Sequence, residues 1–524
     1  MTHSRFSKRG PMHPLVLSAA LGLTLSAGSG QAQTTEPEAP GLPSMAAIEQ
    51  AHAAGDLVTV REGLERLATE TGTPLAQFRY GQALLEGIGG PRDSAAAMDW
   101  LQRAVDQDHL HAATMLARML LTGDPIGIER DPVRAATLLT RSASRGDAEA
   151  QYYLGLLYRA GTGVAQNLET AFNWLLAAAE QQHVPAQYEL SRAYSRGEGT
   201  PLDTAKALRW LQAAATNGHV EAQFFLANAL DNGAGVPQDT AEALRWYRRA
   251  AEAGYVLAQR ILGTRYLLGD GVEQNGEEAL RWLIPAAQAG DPGAAANLGY
   301  AYLNGEGIAP DPVQAARWYR HAVERHELPR AMTALAELYQ NGQGVEQDLS
   351  RAVLLYRQAA AAGDAVAPRI LGRLAAANTL DGIVAPQRAV PWVLAAAEAG
   401  HAPALDWLRA HAEGGMRSAQ AHLGRHLLDQ GDTAAALPLL TAAARAGDVP
   451  TQATLGQLYA TGNGVDLDYV AAYTWLNIAA AQASVEAHEH REVIVQLMTP
   501  GQIADGQDAT RRFFEEAADP QVTR

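Results

Sequence analysis

From about residue 76 to residue 483, two apolar patterns alternate along the chain. In the first, Ala, Leu and Tyr stand at i, i+4 and i+8, as Ala150, Leu154 and Tyr158 do in Ala-Gln-Tyr-Tyr-Leu-Gly-Leu-Leu-Tyr, and as they do again from Ala258 to Tyr266. This spacing lays one apolar stripe along an α-helix, which must then be buried. In the second, a Trp or Leu is followed by Ala-Ala-x-Ala-Gly, at Ala250 to Gly254, Ala286 to Gly290, Ala359 to Gly363, Ala396 to Gly400 and Ala443 to Gly447. Small residues at contact positions let helices approach closely, so the two patterns together predict antiparallel helix pairs.

The pairs repeat on a fixed period. Trp174, Trp210, Trp246, Trp282 and Trp318 are each 36 residues apart, and a period of this size marks a solenoid. Seven residues before each Trp stands Asn167, Asp203, Asp239, Asn275 or Asp311, and the same offset gives Asp93, Asp131, Asp348 and Asp468. A short side-chain oxygen at that place caps the amides of a helix's first turn. Just ahead lie Gly-x-Gly pairs, from Gly161/Gly163 and Gly197/Gly199 to Gly462/Gly464. Glycine tolerates positive φ, so these read as chain reversals between two helices. A phosphate-cradling loop is disfavoured, because no strand precedes the glycines and no Gly-Lys-Ser/Thr follows them.

With Ala-x-x-x-Leu-Gly-x-x-Tyr, Gly-x-Gly-Val, Asp, Trp-Tyr and Ala-Ala-x-x-Gly in register, the pattern resembles the Sel-one-like repeat, a relative of the tetratricopeptide repeat. The resemblance implies an all-α, right-handed α-solenoid of stacked antiparallel helix pairs, about eleven units of some 36 residues, presenting surfaces to other proteins. The array proper is expected over 76–375 and again over 419–483. Residues 44–75 read as an N-terminal capping pair, 484–518 as C-terminal capping helices and 519–524 as a tail. Over 376–418 the pattern degenerates: Ala385 replaces the Asx cap, Gly382 is shifted and a segment with Trp407 is interposed. A bend or subdomain boundary is expected there.

Composition adds compartment and excludes some partners. Lys and Arg number 41 against 57 Asp and Glu, a formal net charge of −16. No basic field exists to condense on phosphate, so nucleic acid is not an expected partner. With no cysteine, disulfides, thiolate metal sites, a Cys nucleophile and a lipoprotein anchor are all excluded. Arg5, Lys8 and Arg9, the apolar run from Leu15 to Ala27 and the small residues of Gly30-Gln31-Ala32 read as a signal peptide over 1–32, followed by a flexible leader over 33–43. The run is too short to span a bilayer, so the expected location is periplasmic or secreted.

Three sets of side chains stand out as candidate chemistry. Tyr152, Tyr188, Phe224 and Arg260 lie two residues after the repeat Ala, and Leu156, Arg192, Asn228 and Thr264 lie one turn further on. Aromatic and Arg residues are the types enriched in binding hot spots, so Tyr152, Tyr188, Phe224, Arg260, Arg192 and Asn228 are candidate partner contacts. The competing reading is packing between successive first helices. Arg209, Arg245, Arg281 and Arg317 each precede the repeat Trp. They form either a ladder for an anionic polysaccharide or a row of outward residues paired with acidic neighbours. His422 and His426 are four apart with His411 nearby, but lack the Glu of a His-Glu-x-x-His site; they and Glu486, His488, Glu489 and His490 read as structural or solvated groups. No cofactor or metal is expected.

The function expected from these features is a non-enzymatic interaction scaffold of the bacterial cell envelope, taking a protein or peptide on its concave face. Exopolysaccharide assembly, control of a cell-wall enzyme and signalling are the roles that the resemblance suggests. The rivals are a carboxylate-dependent hydrolase of cell-wall or glycan substrates and direct binding of an anionic polysaccharide.

Overall fold

The computed structural model describes residues 42–123, 128–325 and 328–518. The expected signal peptide, most of the leader, the long turn at 124–127 and the tail lie outside the described residues. Within them are 27 helices and no β-strand. The first twelve are α1 (Met45–Ala53), α2 (Leu57–Glu70), α3 (Pro74–Glu86), α4 (Ser94–Asp106), α5 (Leu110–Thr122), α6 (Pro132–Ala143), α7 (Ala148–Ala160), α8 (Leu168–Glu180), α9 (Val184–Arg196), α10 (Thr204–Thr216), α11 (Val220–Asn232) and α12 (Thr240–Glu252). Then follow α13 (Val256–Leu268), α14 (Gly276–Gln288), α15 (Pro292–Asn304), α16 (Pro312–Arg325), α17 (Pro329–Asn341), α18 (Leu349–Ala361), α19 (Ala367–Ala376) and α20 (Pro386–Glu398). The last are α21 (Ala402–Glu413), α22 (Arg417–Asp429), α23 (Thr433–Arg445), α24 (Val449–Thr461), α25 (Tyr469–Ala481), α26 (Val485–Val495) and α27 (Pro500–Ala518).

Two compact units divide the chain, Met1–Tyr255 and Val256–Arg524. In each, a first helix packs most closely on the second helix of its own pair, and pairs stack in chain order. Eleven such pairs run from α3/α4 to α24/α25, the α-solenoid that the period predicts.

Local chemistry explains each pair. Every Asx of the capping column accepts from the amide three residues on, for example Asp203 from Lys206 at 2.9 Å and Asn275 from Glu278 at 3.0 Å. Ala385 makes no such bond at the start of α20. The turn glycines divide the work. Gly197 ends α9 in the left-handed region with φ +68°, while Gly199, at φ +73°, lies where a Cβ would collide with the Leu168 carbonyl of the preceding repeat. The pair therefore reverses the chain and seats one repeat on another.

In the second unit the buried core runs without interruption from Leu267 to Leu423. It continues through the degenerate stretch because α21 contributes Ala404, Trp407, Leu408 and Ala412 to it. The 376–418 segment breaks the repeat pattern while keeping the apolar stack, and the division between units falls instead at 255/256.

Candidate interaction surface

The column two residues after the repeat Ala is an interlock between repeats. The Phe78 ring stacks on His109 at 4.7 Å, Tyr152 lies 4.8 Å from His183, Tyr188 stacks on His219 at 4.4 Å and Phe224 lies 4.9 Å from Tyr255. Each pair is 31 residues apart, and at the same interval Arg260 pairs with Asp291 at 3.3 Å. Tyr188 is only 8% exposed and Phe224 only 7%. The expectation that these two are displayed to a partner is thus corrected. In a stacked array, this column of the first helix meets the residue that precedes the next first helix, not solvent.

The other members of the set are engaged as well, though partly exposed. Arg192 bonds Glu189 at 3.0 Å and lies over the Tyr188 ring. Asn228 donates to the Phe224 carbonyl and accepts from the Tyr247 hydroxyl, both at 3.0 Å. Burial pushes the Tyr188 phenol up to about 12, and the Tyr152 phenol rises for the same reason.

The imidazoles beneath the rings are residues that the sequence reading missed. His109, His183 and His219 are N-caps of α5, α9 and α11, their Nδ1 atoms accepting from the amides of Ala112, Ala186 and Ala222. Only a neutral ring can accept there. Burial holds His183 down at about 4 against the opposing charge of Asp147. Burial, together with the His111 and Arg79 charges, does the same to His109. Burial lowers His219 also, opposed by Glu221 and Glu189. The visible signal was a His three residues ahead of the repeat Ala.

The Gln of Ala-Gln forms a second interlock. Gln151 donates to the Ala143 carbonyl at 3.1 Å and accepts from Gln181 at 2.8 Å; Gln187 does the same with Ala179 and Asn217. Each buried amide thereby joins three successive helices. Gln223 donates to the Ala215 carbonyl, but Ala253 stands where Gln181 and Asn217 supply a donor, and the buried Gln223 Oε1 has no hydrogen-bond partner.

What the first-helix face does offer to solvent lies one residue beyond the expected column. Phe225 is 45% exposed and Tyr153 is half-buried beneath the Arg118 guanidinium. Around them runs a charged lattice: Arg118 to Glu149 at 2.9 Å, Arg159 to Glu189, and Arg192 to Glu189. The Phe224-Phe225 doublet was the sequence signal for it.

Arg209, Arg245, Arg281 and Arg317 are all exposed. Arg281 bonds Glu278 within its own helix at 3.2 Å, whereas the other three make no ion pair with any described residue. Of the histidines, His411 stacks on Trp407 at 3.7 Å and bonds its carbonyl, His422 bonds the Ser418 carbonyl, and His426 lies 3.6 Å from Glu398. No group of three or more metal-ligating His, Asp or Glu is gathered among the described residues.

An α-solenoid with helix-face interlocks of this kind defines a repeat-built interaction protein. The Sel1 repeat family model matches residues 74–109, 110–147, 148–183, 184–219, 220–255, 256–291, 292–325, 329–364 and 450–484, more than half the chain. The chain belongs to the Sel1 repeat family, whose repeats build protein–protein interaction scaffolds. Among solved structures it is similar to c5321, a protective antigen present in uropathogenic Escherichia coli strains displaying an SLR fold. The two are 29% identical with a TM-score of 0.59, covering 88% of this chain and 96% of that one. Among curated proteins it is 32% identical over 114 residues to chitin synthase regulatory factor 3 of Schizosaccharomyces pombe, 21% of this chain and 12% of that protein. It is 33% identical over 118 residues to an uncharacterized protein of Neisseria meningitidis serogroup B, 22% of this chain and 24% of the other. The chain thus spans 12% and 24% of the length of these two curated relatives.

Proposed function

We propose that this protein is a non-enzymatic adaptor of the bacterial cell envelope that binds a protein or peptide along the first-helix face of α5 to α11. The observation that carries the reading is the exposed Phe225 on α11, stacked near Tyr188, with half-buried Tyr153 on α7 and the ion pairs of Arg118, Arg159 and Arg192 on the first helices before it, which combines an apolar anchor with oriented charge. Aromatic anchors ringed by arginine are what hot spots are made of. The N-terminal basic and apolar segments support export, and the net charge of −16 disfavours nucleic acid. Among the described residues no helix is long and apolar enough to cross a membrane.

Crosslinking capture from the native envelope fraction tests the reading, comparing the wild type with Phe225→Ala/Arg192→Ala. Unchanged thermal melting with loss of one specific partner is the expected result. Retention of the same partner by the double variant moves the site elsewhere. Turnover of a cell-wall substrate with no specific partner would instead favour the hydrolase. A second reading has its own observation, the exposed Arg209, Arg245 and Arg317 that pair with no described carboxylate. If they bind polyuronate, retention on an alginate column will fall in Arg245→Glu.

A further inference from the structure

Near the end of the array the interlock is missing its ring. Counting from the buried Gln452, which bonds Ala444 and Gln482 as Gln151 bonds Ala143 and Gln181, the column residue of α24 is Ala453. The residue 31 further on, the N-cap of α26, is Ser484. In four other repeats this register holds an aromatic ring packed on His or Tyr. Here two small residues leave a groove of about 430 Å³ lined by Val449, Pro450, Ala453, Gln457, Ser484 and Glu486.

The groove's polar groups occupy positions that serve a tyrosine elsewhere. Glu486 follows its cap by two residues, as Glu221 follows His219, and the Glu221 carboxylate is near enough to the Tyr188 phenol to help raise it. Gln457 stands at the register of Arg192 and donates to Glu486 Oε1 at 3.0 Å, which leaves Oε2 as an acceptor. Val485, next in the chain to Ser484 and Glu486, is 72% exposed.

We propose that this groove is a subsite for a tyrosine side chain of a peptide partner. The ring takes the place that Tyr152 and Tyr188 fill in their own repeats, and its hydroxyl donates to Glu486. This deepens the scaffold reading and rests on it only in assigning the ring to a peptide. A small-probe titration reads the groove without any partner, so the two ideas fail separately.

The test is N-acetyl-tyrosinamide titrated into the full chain carrying methyl-labelled Val and Ala, with N-acetyl-phenylalaninamide and N-acetyl-alaninamide alongside. Val449 and Ala453 methyl shifts should saturate with the tyrosine probe in the range of about 1–10 mM, as a single ring of this size allows. They should not move with the alanine probe. Ala453→Tyr/Ser484→His should fill the groove, melt no lower than the wild type and abolish the response. Equal shifts with the alanine probe, no saturable response to about 50 mM, or binding retained by a folded filled variant would each overturn the proposal. Should the filled variant fail to fold, Glu486→Leu decides. It should cut the tyrosine-over-phenylalanine preference severalfold, toward parity, and an unchanged preference overturns the donor assignment.

Discussion

At the scale of the residue, two glycines that look equivalent in sequence face different constraints. Gly197 needs only its positive φ, since a Cβ there meets nothing nearer than 3.5 Å, whereas a Cβ on Gly199 would strike the Leu168 carbonyl. Gly197→Ala is expected to cost about 1–2 kcal/mol, the strain of a left-handed alanine. Gly199→Ala adds a backbone clash and should cost more than twice that, read by urea melts of both variants. The unpartnered Gln223 Oε1 yields a prediction of opposite sign. Ala253→Gln should restore the donor that Gln181 supplies to Gln151 and stabilise by about 1 kcal/mol. The gain should vanish in a Gln223→Leu background.

At the scale of the element, the first helices begin on imidazoles that are kept neutral. His183 is held near 4, below its unfolded value of about 6.5. The unfolded chain therefore binds more protons between these values, so stability is full above pH 6.5 and falls as pH drops toward 4. His109 and His219 act in the same direction. His111 acts in the opposite one, because its hydrogen bond to Asp147 raises it and it stabilises most below pH 6.5. His183→Asn keeps a cap without the titration, so its stability should fall by about 2 kcal/mol less than the wild type's between pH 7 and pH 5. Equal losses in denaturant melts would show that the ring does not titrate as its burial demands. The helices and their Asx caps were legible beforehand because capping is local: Asp203 and Lys206 are three residues apart. The His caps were less so, since the force that keeps them neutral comes from a ring 31 residues away.

At the scale of the whole molecule, stability in each unit should be close to a sum over repeats and their contacts. Deleting 184–219, one full period, leaves His183 to cap α11 and Tyr152 still stacked on His183. The protein should keep its helicity per residue and lose only a few degrees of melting temperature. Deleting 184–218, one residue fewer, keeps His219 as the cap of α11 but sets it 32 residues after Tyr152 and leaves His183 as a spare residue ahead of it, so the ring and the capping imidazole fall out of register. It should lose a clear part of its helical signal by circular dichroism. Similar melts for the two deletions would mean that register matters less than composition.

The 36-residue period, the helix pairs, the turns and the caps follow from the sequence alone, because each depends on residues within one or two turns of one another. Only the tertiary structure decided which side of a first helix is surface. Tyr188 and Phe225 are both aromatic and both lie on first helices, yet one is sealed against His219 and the other faces water. The difference is made by the neighbouring repeat, whose placement no local pattern encodes. The same physics turned Ala453 and Ser484, unremarked as letters, into a groove, since a missing ring is visible only where other repeats show one in place.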